Sequence, residues 1–364
     1  MAVLRVLVAG ARTTVQDLGF RQGRGQGVPA CGVLDPDGLR LVNALLGNPP
    51  DTEALEVALL PPRFRVEAGP VRVALGGGLH GSVLAQGCAR RTLDPWTATT
   101  LDSGDELHLA SPARGGTGLV GLRGGLDLPR VLDSRSTCLR AGFGGMAGRA
   151  LREGDLLHLR EPAVPAGLPD LHLTRPPPCD AGPIRIVPGP QADWFTPAEF
   201  ARFLAGPYVL SPRCDRMGLR LDGPALGFAP GRGGDIISDG ISPGAIQVPG
   251  NGLPIVLLAD AQTTGGYPKI ATVIRADLAR LAALVPGDPI RLAAVTVGQA
   301  EALARAGRAA LDRAIDSIAP VADAGTASLA LLGASLIGGV VDMQRPDHFP
   351  GHLYRSDEDP EPCA

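Results

Sequence analysis

Gly104-Asp-Glu-Leu-His-Leu109 reads as a turn running into a strand. Glycine supplies the turn, aspartate accepts hydrogen bonds from the turn's own backbone, and Leu107 and Leu109 alternate with polar neighbours. The same pattern returns at Gly154-Asp-Leu-Leu-His-Leu159 and at Gly287-Asp-Pro-Ile-Arg-Leu292. A weaker echo links Gly69-Pro-Val-Arg-Val73 to Gly182-Pro-Ile-Arg-Ile186. The spacing of these units is irregular, which argues against a solenoid and for two related β-rich halves. With 50 glycines and 35 prolines in 364 residues, the chain has the punctuation of many short strands, so the expected fold class is mainly β.

Working outward, Arg72-Val-Ala-Leu75 is a further strand candidate, and Pro254–Ala259 reads as a buried one. Few segments read as helix. Asp35–Gly47 has an aspartate cap, a first-turn proline, apolar residues at Leu39, Val42, Leu45 and Leu46, and a closing glycine. A second helix is expected over residues 297–318, with Leu303, Ala306, Ala310, Leu311 and Ile315 on one face. The prolines at 162, 165, 169, 176, 177, 178 and 183 read as a linker with neither helix nor interior strand. The boundaries expected are therefore a β domain over 1–165, a linker over 166–181, a second β domain over 182–296, and a C-terminal helix and tail over 297–364. Within that tail, residues 348–364 are expected to fray.

Net charge is −3, so no global field gathers nucleic acid. The N-terminus is too short and too interrupted by Arg5 for a signal peptide. The longest apolar run, Ser328–Val341, is shorter than a bilayer span requires. Six scattered cysteines form no CxxC pair, so reduced thiols, a cytoplasmic location and no structural metal are expected. His348 and His352 flank Phe-Pro-Gly, which rules out a helical ligand pair, and they are read as incidental.

The chain holds thirty-three arginines and one lysine, Lys269. An ammonium is compact and can lose its proton when desolvated, whereas a guanidinium is planar and stays charged. A lysine that persists amid such a bias points to a role that arginine cannot fill. It ends Asp260-Ala-Gln-Thr-Thr-Gly-Gly-Tyr-Pro-Lys269, a polar, glycine-rich loop directly after a buried run. Lys269, Tyr267 and Asp260 are the expected catalytic groups, with Gln262, Thr263 and Thr264 binding substrate. Gly265 and Gly266 would let the backbone approach a ligand. Asp215 and Arg216 form another candidate pair, since Arg216 could clamp a carboxylate with its fork or simply make an ion pair.

Other motifs are excluded. Gly240-Ile-Ser-Pro-Gly244 matches the serine-hydrolase pattern, but Pro243 removes the backbone N–H that an oxyanion hole needs. Gly23-Arg-Gly-Gln-Gly27 opens no helix and is no dinucleotide fingerprint; it reads as a hairpin or substrate-facing loop. No Walker loop surrounds the single lysine, so any ATP used in the reaction is not held that way by this chain.

Seven short motifs occur in a fixed order: Thr13-Thr-Val-Gln-Asp17, Gly47-Asn-Pro49, Ser134-Arg-Ser-Thr137, Gly189-Pro-Gln191 with Asp193-Trp-Phe195, Asp215-Arg-Met-Gly218, Gly244-Ala-Ile-Gln247, and Gln262–Lys269. In these the chain resembles the biotin-dependent carboxyltransferase family, historically labelled allophanate hydrolase subunit 2, over about residues 3–296. Cys214 and Gly76-Gly-Gly78 depart from the usual pattern. The resemblance implies a pair of cyclophilin-like β-barrel domains. Gln247, Gln16 and Asp17, polar residues within these motifs, are further candidate binding residues on their chemistry. It is strongest to the branch formed by the C component of prokaryotic 5-oxoprolinase. That implies partner subunits, the B and A components, and an ATP-dependent opening of 5-oxoproline to glutamate, with ATP consumed by the complex. Two other branches remain: carboxyl transfer to urea, with biotin supplied by another chain, and a regulatory subunit that antagonises a kinase inhibitor. In each enzymatic branch the substrate is a small lactam or urea-like molecule, with no nucleic acid or membrane involved.

Overall fold

The computed structural model describes residues 2–321 apart from residue 21 and residues 86–89, 112–115, 161–163, 166 and 178–180. All three Gly-Asp units fold alike. Gly104, Gly154 and Gly287 take φ of 91°, 85° and 95°, the left-handed region that glycine enters without penalty. Each following aspartate accepts from the backbone N–H three residues earlier: Asp105 from Asp102 at 3.0 Å, Asp155 from Arg152 at 2.8 Å, Asp288 from Val285 at 3.0 Å. The chain then enters the strands Glu106–Ala110, Leu156–His158 and Pro289–Ile290.

Strands from the first half, joined by Leu171–Leu173 and Ile318–Pro320, build two antiparallel sheets. One runs in the order Leu156–His158, Val3–Val8, Arg63–Ala68, Glu106–Ala110, His80–Leu84, Arg90–Leu93. The other runs Arg12–Gln16, Ala54–Ala58, Thr117–Leu122, Val71–Gly76, Thr97–Leu101, Leu171–Leu173, Ile318–Pro320. Leu4, Val6, Phe64 and Leu107 of the first meet Val15, Leu55, Val73 and Val120 of the second in one core. Alternate residues of each strand point to that core, which is why Val3–Val8 buries Leu4 and Val6 but not Val3, Arg5 or Leu7.

The second half forms one eight-stranded sheet, in the order Pro289–Ile290, Tyr208–Leu210, Gly218–Asp222, Ile255–Leu257, Ala245–Gln247, Lys269–Val273, Ile184–Pro188, Leu292–Ala294. Its two outermost strands are separated in sequence only by Arg291, so the sheet curls into a nearly closed barrel. Ile186, Ile246, Val256 and Ile270 fill it. The fold is mainly β and cyclophilin-like, as expected.

Among the described residues the α-helices are α1 (Pro36–Leu46), α2 (Pro197–Ala205), α3 (Leu278–Leu281) and α4 (Val297–Ile315). α1 is capped as its sequence predicts: the Asp35 side chain accepts from Gly38 N at 2.9 Å, and Gly47 closes it at φ 69°. α4 opens on a Thr296/Gln299 capping box. Its inward face is set by Leu311 and Ala314 with Ile315, while Ala306, expected on that face, is exposed. No helix among the described residues is long and apolar enough to cross a membrane.

Two expectations need correction. The proline-rich linker contains Leu171–Leu173, an interior strand of the second sheet. These three residues lie between the prolines and keep their N–H donors, so the ladder passes through them. Residues 297–320 are also not a separate tail. α4 packs against α1, and Ile318–Pro320 extends the second sheet. The apolar run at 328–341, His348 and His352, and the segment expected to fray lie outside the described residues.

Candidate active site

Lys269 opens its strand with its side chain only 4% exposed. A buried ammonium needs a counter-ion. It finds one in Asp239, whose Oδ2 accepts from Lys269 Nζ at 2.6 Å. Asp239 stands on a short ribbon in which Asp239 pairs with Gly265 and Gly240 with Thr264. The ribbon thus brings the polar loop back over its own lysine. The hydrogen bond from Lys269 holds the Asp239 carboxyl below the usual range, aided by Gly240 N–H and the Gln191 side chain. Gln191 Oε1 also accepts from Lys269 N at 3.1 Å.

Gln247 lies directly opposite Lys269 in the barrel sheet, so both side chains leave the same face. Gln247 is buried, and its Nε2 has no hydrogen-bond partner among the described residues. That nitrogen sits 2.7 Å from where a Cβ on Gly265 would stand. Four residues therefore close a ring: Asp239 to Lys269 by charge, Lys269 to Gln247 by register, Gln247 to Gly265 by contact, and Gly265 to Asp239 by register. Gln262 reaches the same place, its Nε2 being 3.5 Å from that Cβ position. Thr263 accepts Ile241 N at its carbonyl at 2.9 Å, Thr264 is exposed on the ribbon, and Gly266 accepts Ile236 N at 2.8 Å. Tyr267 is 40% exposed beside this ring.

The remaining expected residues lie elsewhere. Asp260 is not beside the lysine. Both its oxygens are held by Arg216, Nε to Oδ2 at 3.1 Å and Nη2 to Oδ1 at 3.0 Å. Arg216 also donates to Glu56 Oε1 and to the Gly32 carbonyl. Burial depresses the Arg216 guanidinium, but Glu56 and Asp260 outweigh it and hold the group above its ordinary value. The fork that could have met a substrate carboxylate is filled by the protein's own. Asp215 is exposed and serves a turn, accepting from Met217 N at 2.8 Å and Gly218 N at 3.2 Å.

Gln16 and Asp17 form a third group. Asp17 Oδ1 accepts from Ser134 Oγ and Ser136 Oγ, each at 2.6 Å, and its Oδ2 from Arg135 N at 2.7 Å. Gln16 Nε2 donates to Thr14 Oγ1 and Thr137 O at 3.1 Å, and its buried Oε1 has no partner among the described residues. The segment Cys31–Val33 joins this group to the Arg216 cluster: Val33 N donates to Asp17 O, and Cys31 N to Ala259 O. Burial first, and Asp260 next, push the Cys31 thiol well above its ordinary value. Among the described residues no group of three or more His, Cys, Asp or Glu could hold a metal ion.

Asp239 and Glu56 carry no role that their sequence context announces, and Gln191 lies in one of the seven motifs without being among the expected site residues. The available signal is physical: a buried lysine and a buried arginine each require an acid. Partners 30 and 160 residues distant do not declare themselves in the string.

Residues 26–294 match the model of the carboxyltransferase domain, subdomain A and B. The chain is 37% identical over 293 residues to the C component of 5-oxoprolinase from Escherichia coli strain K12, covering 78% of this chain and 89% of that protein. The urea amidolyase of Lachancea kluyveri is 29% identical over 302 residues, 76% of this chain but 16% of that much longer protein. Among solved structures, TTHA0988 aligns with a TM-score of 0.70 at 31% identity, over 80% of this chain and 56% of that one. The K. lactis urea amidolyase aligns with a TM-score of 0.76 at 27% identity, over 88% of this chain and 21% of that one.

Proposed function

The chain belongs to the family of carboxyltransferase domains with subdomains A and B, and from that membership we propose that it is the C component of a 5-oxoprolinase-type complex. In this reading the complex opens a small lactam to the amino acid at the expense of ATP, and this chain works with two partner subunits, the B and A components. The observation that carries the chemistry is the ring of Lys269, Asp239, Gln247 and Gly265. It offers a charged donor and an orphaned amide donor on one face, both buried. A lactam carbonyl seated there would accept from Lys269 Nζ and Gln247 Nε2. Both donors strengthen their hold as the oxygen gains negative charge, in a site where little reorganisation is needed. Tyr267 and Gln262 are exposed in the same loop and would orient the rest of the substrate.

Lys269 opens a strand and follows no Walker-type loop, so a phosphate-cradling role is not assigned to it. No step is therefore assigned to ATP on this chain. A second reading, the carboxyltransferase component of a urea carboxylase, is favoured by the likeness to urea amidolyases. Gln247 and Lys269 would suit the ureido carbonyl of a carboxybiotin carried by another chain, which would supply the carboxyl group.

The test is reconstitution with the B and A components, measuring ATP-dependent loss of 5-oxoproline with and without this chain. Lys269→Met is expected to lower kcat by about 100-fold or more, the usual effect of losing one oxyanion donor. Lys269→Arg is expected to restore little of it. Full activity of either variant would remove the lysine from the mechanism.

A further inference from the structure

Resting on that function, we infer that Asp239 determines specificity by accepting the substrate's amide N–H while Lys269 and Gln247 take the carbonyl. An amide of a five-membered lactam is cis, so its N–H and C=O leave the ring along one edge. Standard bond lengths put that nitrogen and oxygen about 2.3 Å apart. The ion pair presents a matching edge, an acceptor and a donor separated by 2.6 Å. Lys269 Nζ spends one of its three donors on Asp239, leaving two. Asp239 spends Oδ2 on Lys269, Oδ1 on Gly240 N at 2.7 Å and a further acceptor site on the Gln191 side chain, yet its side chain is 52% exposed. A carboxylate has about four lone-pair sites, so acceptor capacity remains on the open side.

The buried partners cannot supply this acceptor. Lys269 is donor-only, and the orphaned atom of Gln247 is its amide nitrogen. Asp239 is the carboxylate in the ring, and the ribbon register with Gly265 keeps it over the site. Urea presents the same N–H and C=O edge, so the assignment covers both a lactam and a ureido substrate. It discriminates against lactones, which have no N–H, and against N-alkylated lactams.

The experiment uses the reconstituted complex with 5-oxoproline, its N-methyl derivative and urea as probes. Wild type is expected to bind 5-oxoproline at least about tenfold more tightly than the N-methyl compound, the effect of one hydrogen bond to a charged group. Asp239→Ala is expected to raise KM more than it lowers kcat and to shrink that preference below about threefold. Asp239→Glu is expected to recover part of it. A preference unchanged in Asp239→Ala would overturn the assignment while leaving the lactam reading in place. A wild-type complex that turns over urea and ignores 5-oxoproline moves the same test to urea against its tetramethyl derivative, which has no N–H, where an unchanged ratio again overturns it. Turnover of neither compound would overturn both the function and the assignment.

Discussion

At Lys269 the ammonium is chemically distinct from the guanidinium used everywhere else in the chain. The same site rests on a second small feature, the absence of a Cβ at Gly265. A methyl there would stand 2.5 Å from Ile241 Cδ1 and 2.7 Å from Gln247 Nε2. Its φ does not lie in the left-handed region, so the requirement is for space rather than for backbone freedom. Gly265→Ala is accordingly expected to cost about 1–3 kcal/mol through overpacking. It should also displace the Gln247 amide, so activity of the complex should fall further than stability. Urea denaturation alongside steady-state kinetics will separate the two effects. Wild-type values in both would show that the glycine is not needed for close approach.

Arg216 works at the scale of elements. It stands just before the strand Gly218–Asp222 of the barrel sheet. From there it grips Glu56 on the strand Ala54–Ala58 of another sheet, along with Asp260 beyond the strand Ile255–Leu257. All three charged side chains are under 8% exposed. Such an assembly contributes less than its Coulomb attraction suggests, because each ion was taken from water. Breaking it is another matter, since two carboxylates would be left buried without a counter-ion. Arg216→Ala is expected to lower unfolding free energy by about 3–5 kcal/mol. Arg216→Lys keeps the charge but loses the fork, and should recover only part. Chemical denaturation at neutral pH checks both, and a loss below about 1 kcal/mol in the alanine variant would show that the cluster is not a brace. The turns at this scale were legible in advance. Gly-Asp followed by alternating aliphatic residues specifies a left-handed glycine, an aspartate bonded to its own turn and an entering strand, and all three copies do this.

For the whole molecule, α4 and the strand Ile318–Pro320 are unexpected in their placement. They follow the segment matching the family model, which ends at residue 294, yet they complete the sheet and helix layer of the first half. Leu311 and Ala314 bury against the cluster that also holds Leu39, Val42 and Leu45 of α1. Leu311→Ala is expected to cost about 2–4 kcal/mol, the range for a buried leucine truncated next to a helix pair. The loss should appear as a lower denaturant midpoint with an unchanged slope. A loss under about 0.5 kcal/mol would mean that α4 is held elsewhere.

What the sequence determined by itself was whatever depends on near neighbours. The mainly β class, the Gly-Asp turns and the caps of α1 follow from interactions within a few residues. The family was legible too, because seven motifs in order constrain more than any one of them. Tertiary structure alone decided which polar residues share a site. It divided the expected set into the Lys269 ring, the Arg216 brace and the Asp17 network, and it supplied Asp239, Gln191 and Glu56. The physical reason is that a buried charge chooses its partner by distance in space after the sheets have formed. Strand register and ribbon closure set that distance, and a linear string of residues does not contain it.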